Sequence, residues 1–266
     1  RTGKWVSYYS AEVQNLTKDF MDCFLKDDTS SGFLETPPVR LEVRSEIDKI
    51  HDVRLENEWP IARTQYTKLF LGEEPNTLSS EKPEKSNEAE YPANKGKALF
   101  TYKFVEDTEL SGYIKLRVWV EIRSDKKGST AADDMVLFLA INKLDKVGAN
   151  VIFNGSVGIT NDMVTRGWCK VSNRELDPVE STEWHPVQNG NSVQKLKSGE
   201  IVPVDIALYP SSTFFVAEES LQLIISGSEI TSSPPYKKSA DCNHGKHVLH
   251  FGGRYDSYLL VPKIPL

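Results

Sequence analysis

Three histidines near the end of the chain have the spacing that first suggests chemistry. His244, His247 and His250 recur every third residue beside Asp241 and Cys242, a mixture of side chains that can bind zinc. The apolar residues around them predict a strand, on which alternation sends His247 to the face opposite His244 and His250. Ligands that diverge cannot meet on one ion, so we expect no metal site, and the sequence indicates no cofactor.

Serine-hydrolase chemistry needs a nucleophile on a tight turn, with glycine two positions before and two positions after the serine. The sequence holds no such motif. Its nearest fragment, 154–158 (NGSVG), has the first glycine one place late and is typical of a turn. The neighbouring carboxylates Asp133 and Asp134 would point to opposite faces of a strand and could not share a substrate. We therefore predict no catalytic residue within the chain.

Composition excludes several classes of function. The 38 acidic and 32 basic residues leave a formal charge of −6, which argues against a nucleic-acid binder. No apolar run approaches the roughly 20 residues that span a bilayer, so we expect no membrane segment. Cys23, Cys169 and Cys242 are odd in number and far apart, which favours reduced thiols and a cytoplasmic location. The chain opens at Arg1 without a methionine or an apolar leader, and we expect it to be part of a larger protein.

One helix is predicted ahead of the strands, over 10–28. Ser10 can cap it, and an apolar stripe recurs at three- and four-residue steps: Val13, Leu16, Phe20 and Phe24. A stripe with two phenylalanines must be covered, since water-exposed apolar patches of this size are rare in monomers. Either the helix docks on the strands that follow, or it belongs to a helical layer outside this chain.

Beyond Pro37-Pro38 the apolar period changes from 3.6 to 2, which predicts strands. The clearest is 114–122, with five apolar residues on one face and a mostly polar face that we expect to be wet. The polar segment 76–96 is predicted to be a long exposed loop. Many short strands without a βαβ rhythm indicate an all-β fold, a two-sheet sandwich of jelly-roll type. Its strands are predicted at 39–43, 64–71, 114–122, 135–141, 168–172, 202–208, 221–225, 246–251 and 258–261.

An ordered series of short motifs resembles one family of enzymes. The motifs, in chain order, are FMDCFLK at 20–26, PPVRL at 37–41, EWP at 58–60, RTQYTKLFL at 63–71, GYIKL at 112–116, DDMVLF at 133–138, RGW at 166–168, RELDP at 174–178, GEIVPV at 199–204, YPSS at 209–212, HFGG at 250–253 and YLLVP at 258–262. Together they resemble the C-terminal part of the X-Pro dipeptidyl-peptidase and cocaine-esterase-like (CocE/NonD) serine hydrolases.

That resemblance implies two parts. Residues 1–32 would be the closing helix of an α/β-hydrolase domain, and residues 33–266 a galactose-binding-like jelly-roll domain. In the family the Ser-Asp-His triad lies in the hydrolase domain, so the partner of this chain would be a domain or chain that carries the triad. The segment 4–9 looks like the stretch directly after the catalytic histidine, which makes Trp5 and Tyr8 candidates for the edge of the substrate pocket.

The complete enzyme would hydrolyse small esters, amides or X-Pro peptides through a serine ester. This chain would wall the active-site cleft and mediate domain or subunit contacts, including contacts in a homo-oligomer. A second interpretation is a binding module without enzymatic role, in which some of the five tryptophans form a carbohydrate platform. Trp119, on the outward face of its strand, could serve such a platform or a domain contact.

Overall fold

The structure of the chain, a computed structural model, describes residues 8–74, 76–124, 132–155, 161–230 and 240–265. One helix, α1 (Ala11–Leu25), is followed by two short 3₁₀ turns, Thr29–Ser31 and Phe33–Glu35. The strands of the described residues are β1 (Val39–Glu46), β2 (Lys49–Glu56), β3 (Gln65–Leu71), β4 (Leu78–Ser79), β5 (Asn87–Pro92), β6 (Lys97–Lys103), β7 (Thr108–Arg123), β8 (Val136–Leu144), β9 (Asn150–Val151), β10 (Thr165–Lys170), β11 (Val202–Phe215), β12 (Ser220–Ser226), β13 (Lys246–Phe251) and β14 (Tyr258–Ile264). The predicted class, mostly β with one helix ahead, is confirmed.

The strands form one continuous ladder around a single main core. Its order is β4-β3-β14-β7-β11-β10-β8-β12-β6, and a parallel bridge between Thr77 and Thr101 joins its two ends. Strand β1 attaches to β11 and carries β2 on its other side, while β13 pairs with both β7 and β5. All strand pairs are antiparallel except β1 with β11. The sheet therefore curls until its edges almost meet.

Strand β7 supplies the centre of the core through simple alternation. Its five inward side chains are at most 1% exposed: Ile114, Leu116, Val118, Val120 and Ile122. They pack against inward residues of β8, β11, β12 and β14 in one cluster. The predicted strand over 114–122 is confirmed. It extends back to Thr108, where β11 and β14 pair with it, and forward to Arg123, which pairs with Lys246 of β13.

The outward face of β7 is not wet, which corrects the sequence prediction. Lys115 and Glu121 are buried there, and Arg117 donates to Asp205 at 2.6 Å and to Asp256 at 3.1 Å. The aliphatic stems of these long side chains are packed, while their charged groups form ion pairs. The face is therefore polar in composition but covered. These polar side chains are buried because they form ion pairs, and the alternation of residue types in the sequence does not reveal such pairs.

The predicted loop over 76–96 is wrong in part, because two strands lie within it. Strand β5 pairs with β13, and Tyr91 at its end is only 4% exposed. Its remaining residues are mostly exposed, and two of them, Glu88 and Glu90, are charged. An edge strand with one solvated side lacks the apolar alternation on which strand prediction depends.

Candidate functional site

Helix α1 begins and ends close to the predicted positions. The Ser10 side chain accepts a hydrogen bond from the Val13 backbone at 3.3 Å, so it caps the first turn as expected. The helix ends at Leu25, and the Asp22 carbonyl accepts from the Lys26 and Asp28 amides just beyond. The predicted helix is confirmed, three residues shorter at its C-terminal end.

The apolar side of α1 remains largely open to solvent. Its exposed fractions are 37% for Leu16, 42% for Phe20, 55% for Phe24 and 74% for Leu25. We call these four residues the helix face. Asp22 and Cys23 are the buried residues of the helix. Of the two interpretations, docking on the strands is therefore not what the structure shows.

The contacts that do reach the helix face come from the 3₁₀ turns that follow it. The ring of Phe33 lies 5.2 Å from Phe20 and 5.8 Å from Phe24, and the two helix rings are 5.0 Å apart. This three-ring cluster orders the segment locally but leaves the outward sides of the rings uncovered. An ion pair of 3.2 Å between Glu12 of α1 and Arg40 of β1 ties the helix to the strands.

The two predicted pocket-edge residues have different outcomes. Tyr8 is 61% exposed, and its ring contacts that of Tyr9 edge to face at 5.0 Å. Trp5 lies outside the described residues, as do residues 156–158 of the glycine-serine fragment. A pocket edge at Trp5 and Tyr8 stays a prediction.

The histidines of β13 diverge as alternation predicts. His247 faces the core beside Ile122, with Nδ1 3.4 Å from the Tyr91 hydroxyl, whereas His250 lies on the opposite face. His244 is exposed in the loop before the strand, so it shares no strand face with His250. Burial lowers the pKa of His247 to about 4. In the part of the chain that the structure describes, no cluster of three potential ligands is found.

A serine, a histidine and a glutamate meet beside β13, which is the composition of a hydrolase triad. His250 Nε2 lies 2.8 Å from Glu121, but the Ser257 hydroxyl donates to the His250 backbone carbonyl at 2.6 Å instead of to its ring. The same hydroxyl accepts from the Trp119 amide at 3.0 Å. A general base must reach the proton of its nucleophile. This geometry therefore braces three strands and activates no serine.

Other chemically suggestive residues are also engaged in the fold. Asp134 is buried and accepts from the Met135 and Ser172 amides, with Lys195 at 3.3 Å, while Asp133 is exposed. The three cysteines are free, and burial raises the pKa of Cys169 to about 12, which leaves it an unreactive thiol.

The tryptophans divide into engaged and exposed ones. Trp119 is partly buried, and its indole donates to Asp256 at 2.6 Å. Trp168 is 54% exposed and meets the 58% exposed Tyr209 edge to face at 5.8 Å on the outer side of β10 and β11. The sequence does not single out Trp168 among the five tryptophans, and only the structure shows its exposed pairing with Tyr209.

Comparison with known families agrees with the ordered motifs. Residues 31–260 match the model of the X-Pro dipeptidyl-peptidase C-terminal non-catalytic domain. The chain belongs to that domain family.

Solved structures extend the likeness of this X-Pro dipeptidyl-peptidase C-terminal domain. Two crystal structures of a CocE/NonD family hydrolase from Staphylococcus aureus have TM-scores of 0.87 and 0.88 and identities of 34% and 35%. The match covers 98% of this chain and 47% of theirs, so the domain spans about half their length. No curated protein sequence matches.

Two further structures share the fold at low identity. An aminopeptidase from a marine sediment archaeon, Thaumarchaeota archaeon, has a TM-score of 0.64 and 14% identity over 99% of this chain and 45% of its own. An α-amino acid ester hydrolase has a TM-score of 0.60 and 11% identity over 94% of this chain and 44% of its own.

The motifs that carry the resemblance hold the domain together. A Cβ atom on Gly167 of the RGW motif would lie 2.4 Å from the Ala207 carbonyl oxygen, so only glycine lets β10 approach β11 this closely. The ring of Tyr66 in the RTQYT motif stacks on Trp184 with centroids 5.0 Å apart. At these two motifs the resemblance therefore reflects packing constraints of the domain.

Proposed function

We propose that this chain is the non-catalytic jelly-roll part of a larger serine hydrolase, held against an α/β-hydrolase domain through the helix face. The observation that carries the proposal is the open apolar side of an ordered helix, with Phe20 and Phe24 at 42% and 55% exposure. Fully burying one phenylalanine is worth about 1.5–3 kcal/mol. The uncovered rings of Phe20 and Phe24 therefore strongly favour the docking of a partner.

The family match supports the identity of that partner. The matching region is a domain whose family description is non-catalytic, and the related hydrolase structures are about twice as long as this chain. The match begins at residue 31, which agrees with a division into a closing helix over 1–32 and a jelly-roll domain over 33–266. In this proposal α1 completes the hydrolase domain.

The chemistry of the complete enzyme is hydrolysis of an ester, an amide or an X-Pro peptide bond. A serine of the hydrolase domain attacks the carbonyl, histidine accepts the serine proton and returns it to the leaving group, and water then releases the acyl group. This chain walls one side of the cleft and adds no reacting group or cofactor. Trp5 and Tyr8, at the start of the helix segment, lie at the pocket edge.

The test uses the full-length gene product with Phe20→Ser and Phe24→Ser combined. Its matched control is Val105→Ser with Val147→Ser, since these residues are 84% and 89% exposed and lie in loops between strands. We expect calorimetry to show the helix variant unfolding in two separated transitions, with hydrolysis of p-nitrophenyl esters or Gly-Pro-p-nitroanilide reduced at least tenfold. The control should behave like the unsubstituted enzyme. Equal behaviour of both variants would refute the proposal.

A second candidate function, carbohydrate binding, is favoured by one observation. The exposed Trp168 and Tyr209 rings could stack on sugar C–H faces, as aromatic platforms do. Affinity electrophoresis in gels that contain soluble polysaccharides tests this, with Trp168→Ala as the variant and Val179→Ala as the exposed control. Retardation that disappears only in the Trp168 variant supports a binding module, and unretarded migration excludes the sugars tested.

A further inference from the structure

A second apolar surface lies beside the helix face, on the hairpin of β1 and β2. Ile50, Val53 and Leu55 of β2 are 42%, 48% and 61% exposed. We call these three residues the hairpin outer face. Simple alternation would send Ile50 to the side opposite Val53 and Leu55. All three share one side because of a local irregularity in the pairing.

That irregularity is a β-bulge at His51. Val43 pairs with Asp52, but the next residue of β1, Arg44, pairs with Ile50, so β2 holds one extra residue. The His51 ring stacks on Phe214 with centroids 3.6 Å apart and planes at 7°. The stacked ring holds the bulge in place. Bulges are over-represented at sheet edges, at barrel rims and next to active sites, where they re-aim side chains.

The opposite side of β2 fixes the orientation of the hairpin. Arg54 is paired with buried Glu109 of β7 at 2.5 Å, and Glu56 is paired with Arg63 at 2.7 Å. Turning the outer face inward would break these ion pairs and leave a buried carboxylate without its partner. The domain therefore cannot cover Ile50, Val53 and Leu55 by rotating the hairpin.

The hairpin outer face is linked to the helix face through Arg40. Arg40 of β1 is the direct cross-strand partner of Leu55, so both project from the same side. The Arg40 Nε atom also lies 3.2 Å from Glu12 Oε1 of α1. The two apolar surfaces thus flank one ion pair, and a body wide enough to cover the helix face meets the hairpin as well.

We infer that the hairpin outer face docks on the same α/β-hydrolase domain as the helix face, which makes the interface a composite of helix and strand. This inference rests on the proposed function. The occupant follows from the link between the two surfaces through Arg40, and from the half of the related hydrolases' length that lies beyond this domain. The bulge at His51 then aims three aliphatic side chains at the catalytic half.

Hydroxyl-radical footprinting with mass spectrometry tests the inference by comparing the 266-residue chain with the full-length gene product. We expect labelling of Ile50, Val53 and Leu55 to fall at least threefold in the full-length protein, together with that of Phe20 and Phe24. Val147 and Val179, at 89% and 84% exposure, are internal controls whose labelling should not change.

The outcomes separate the two proposals. Protection of the helix face alone overturns the composite interface and leaves the proposed function standing. Protection of neither surface overturns both. Protection of the hairpin in the 266-residue chain that appears only at high concentration assigns the surface to a second copy and also overturns the inference. Val53→Lys with Leu55→Lys in the full-length protein should separate its unfolding transitions, whereas Val147→Lys with Val179→Lys should not.

Discussion

Arg54 donates two hydrogen bonds to the carboxylate of Glu109, from Nη1 to Oε2 at 2.7 Å and from Nη2 to Oε1 at 2.5 Å. Glu109 is 1% exposed, and the Ser111 hydroxyl donates to the same carboxylate at 2.6 Å. The pair joins the hairpin to β7, the central strand of the core. It is one of the polar connections between the proposed interface and the rest of the domain.

Replacing Arg54 by methionine should therefore be costly. Methionine keeps the apolar stem but leaves the buried Glu109 carboxylate without its cation, and we expect the free energy of unfolding to fall by roughly 3 kcal/mol. Urea unfolding followed by tryptophan fluorescence measures this. Arg40→Met, at an exposed ion pair, is the matched control and should change the stability by less than about 1 kcal/mol. Equal losses in both variants would contradict the assignment.

His247 should make the domain sensitive to acid. Burial holds its pKa at about 4, below the ordinary value of 6.5, because the core disfavours the charged ring. The unfolded chain then binds a proton that the folded chain does not, so stability is full above pH 6.5 and is lost as the pH falls toward 4. Between pH 7.5 and 4.5 we expect this residue to account for about 2.5 kcal/mol of lost stability.

The measurement is urea unfolding at both pH values in His247→Leu, with His244→Leu as control because His244 is exposed. The His247 variant should lose less stability on acidification than the unsubstituted chain. The His244 variant should lose as much as the unsubstituted chain. Acid sensitivity that persists in full without His247 would show that other groups cause it.

Gly167→Ala should destabilise the sheet by roughly 2–3 kcal/mol, since the added Cβ would collide with the Ala207 carbonyl oxygen and force β10 away from β11. Gly199→Asn is the control: Gly199 has φ +80° and open space around it, and asparagine tolerates that conformation. Thermal unfolding by circular dichroism compares the two variants. A Gly167 variant as stable as the control would mean that the strands can separate without cost.

Ser257→Ala should leave ester hydrolysis by the full-length enzyme within about threefold of its original rate. Its hydroxyl holds the His250 carbonyl and the Trp119 amide, so its loss should cost about 1–2 kcal/mol of stability and no chemistry. A fluorophosphonate probe should also fail to label the 266-residue chain. Labelling that disappears in the Ser257 variant would assign catalysis to this serine.

Much of the fold is predictable because β7 and its neighbours alternate regularly. Strands with one fully buried face, such as Ile114 to Ile122, carry a period-2 pattern that burial imposes on the sequence. Strand β10 begins at Thr165 and not at the predicted Trp168, since Thr165 already pairs with Ile141 of β8. It ends at Lys170 because Val171 enters a 3₁₀ turn. Strand β5 was missed because its inward face holds only two apolar residues, Ala89 and Tyr91, which is too short a run to reveal a period of 2.

The candidate interface was predictable only in part. The spacing of Phe20 and Phe24 identifies an apolar helix face from the sequence alone. The hairpin outer face is hidden from pattern reasoning, because the extra residue His51 breaks the alternation between Ile50 and Val53. A search for apolar residues that alternate with polar ones, with one extra residue allowed, would have identified β2. The pairing register and the position of a bulge depend on the partner strand, and the local sequence carries no information about that strand.

The acidic edge strand β5 affects how strongly the domain resists aggregation in a crowded solution. Within the described residues β13 is the only strand that pairs with it, so its other edge belongs to no strand ladder. Glu88 pairs with Arg123 at 2.7 Å, Glu90 pairs with Lys246 at 2.5 Å, and Pro92 ends the strand. A strand of another molecule that approached this edge would meet these charges, and no amide is available at the proline. The charged residues and the proline that make β5 hard to predict thus protect the domain against aggregation through this edge.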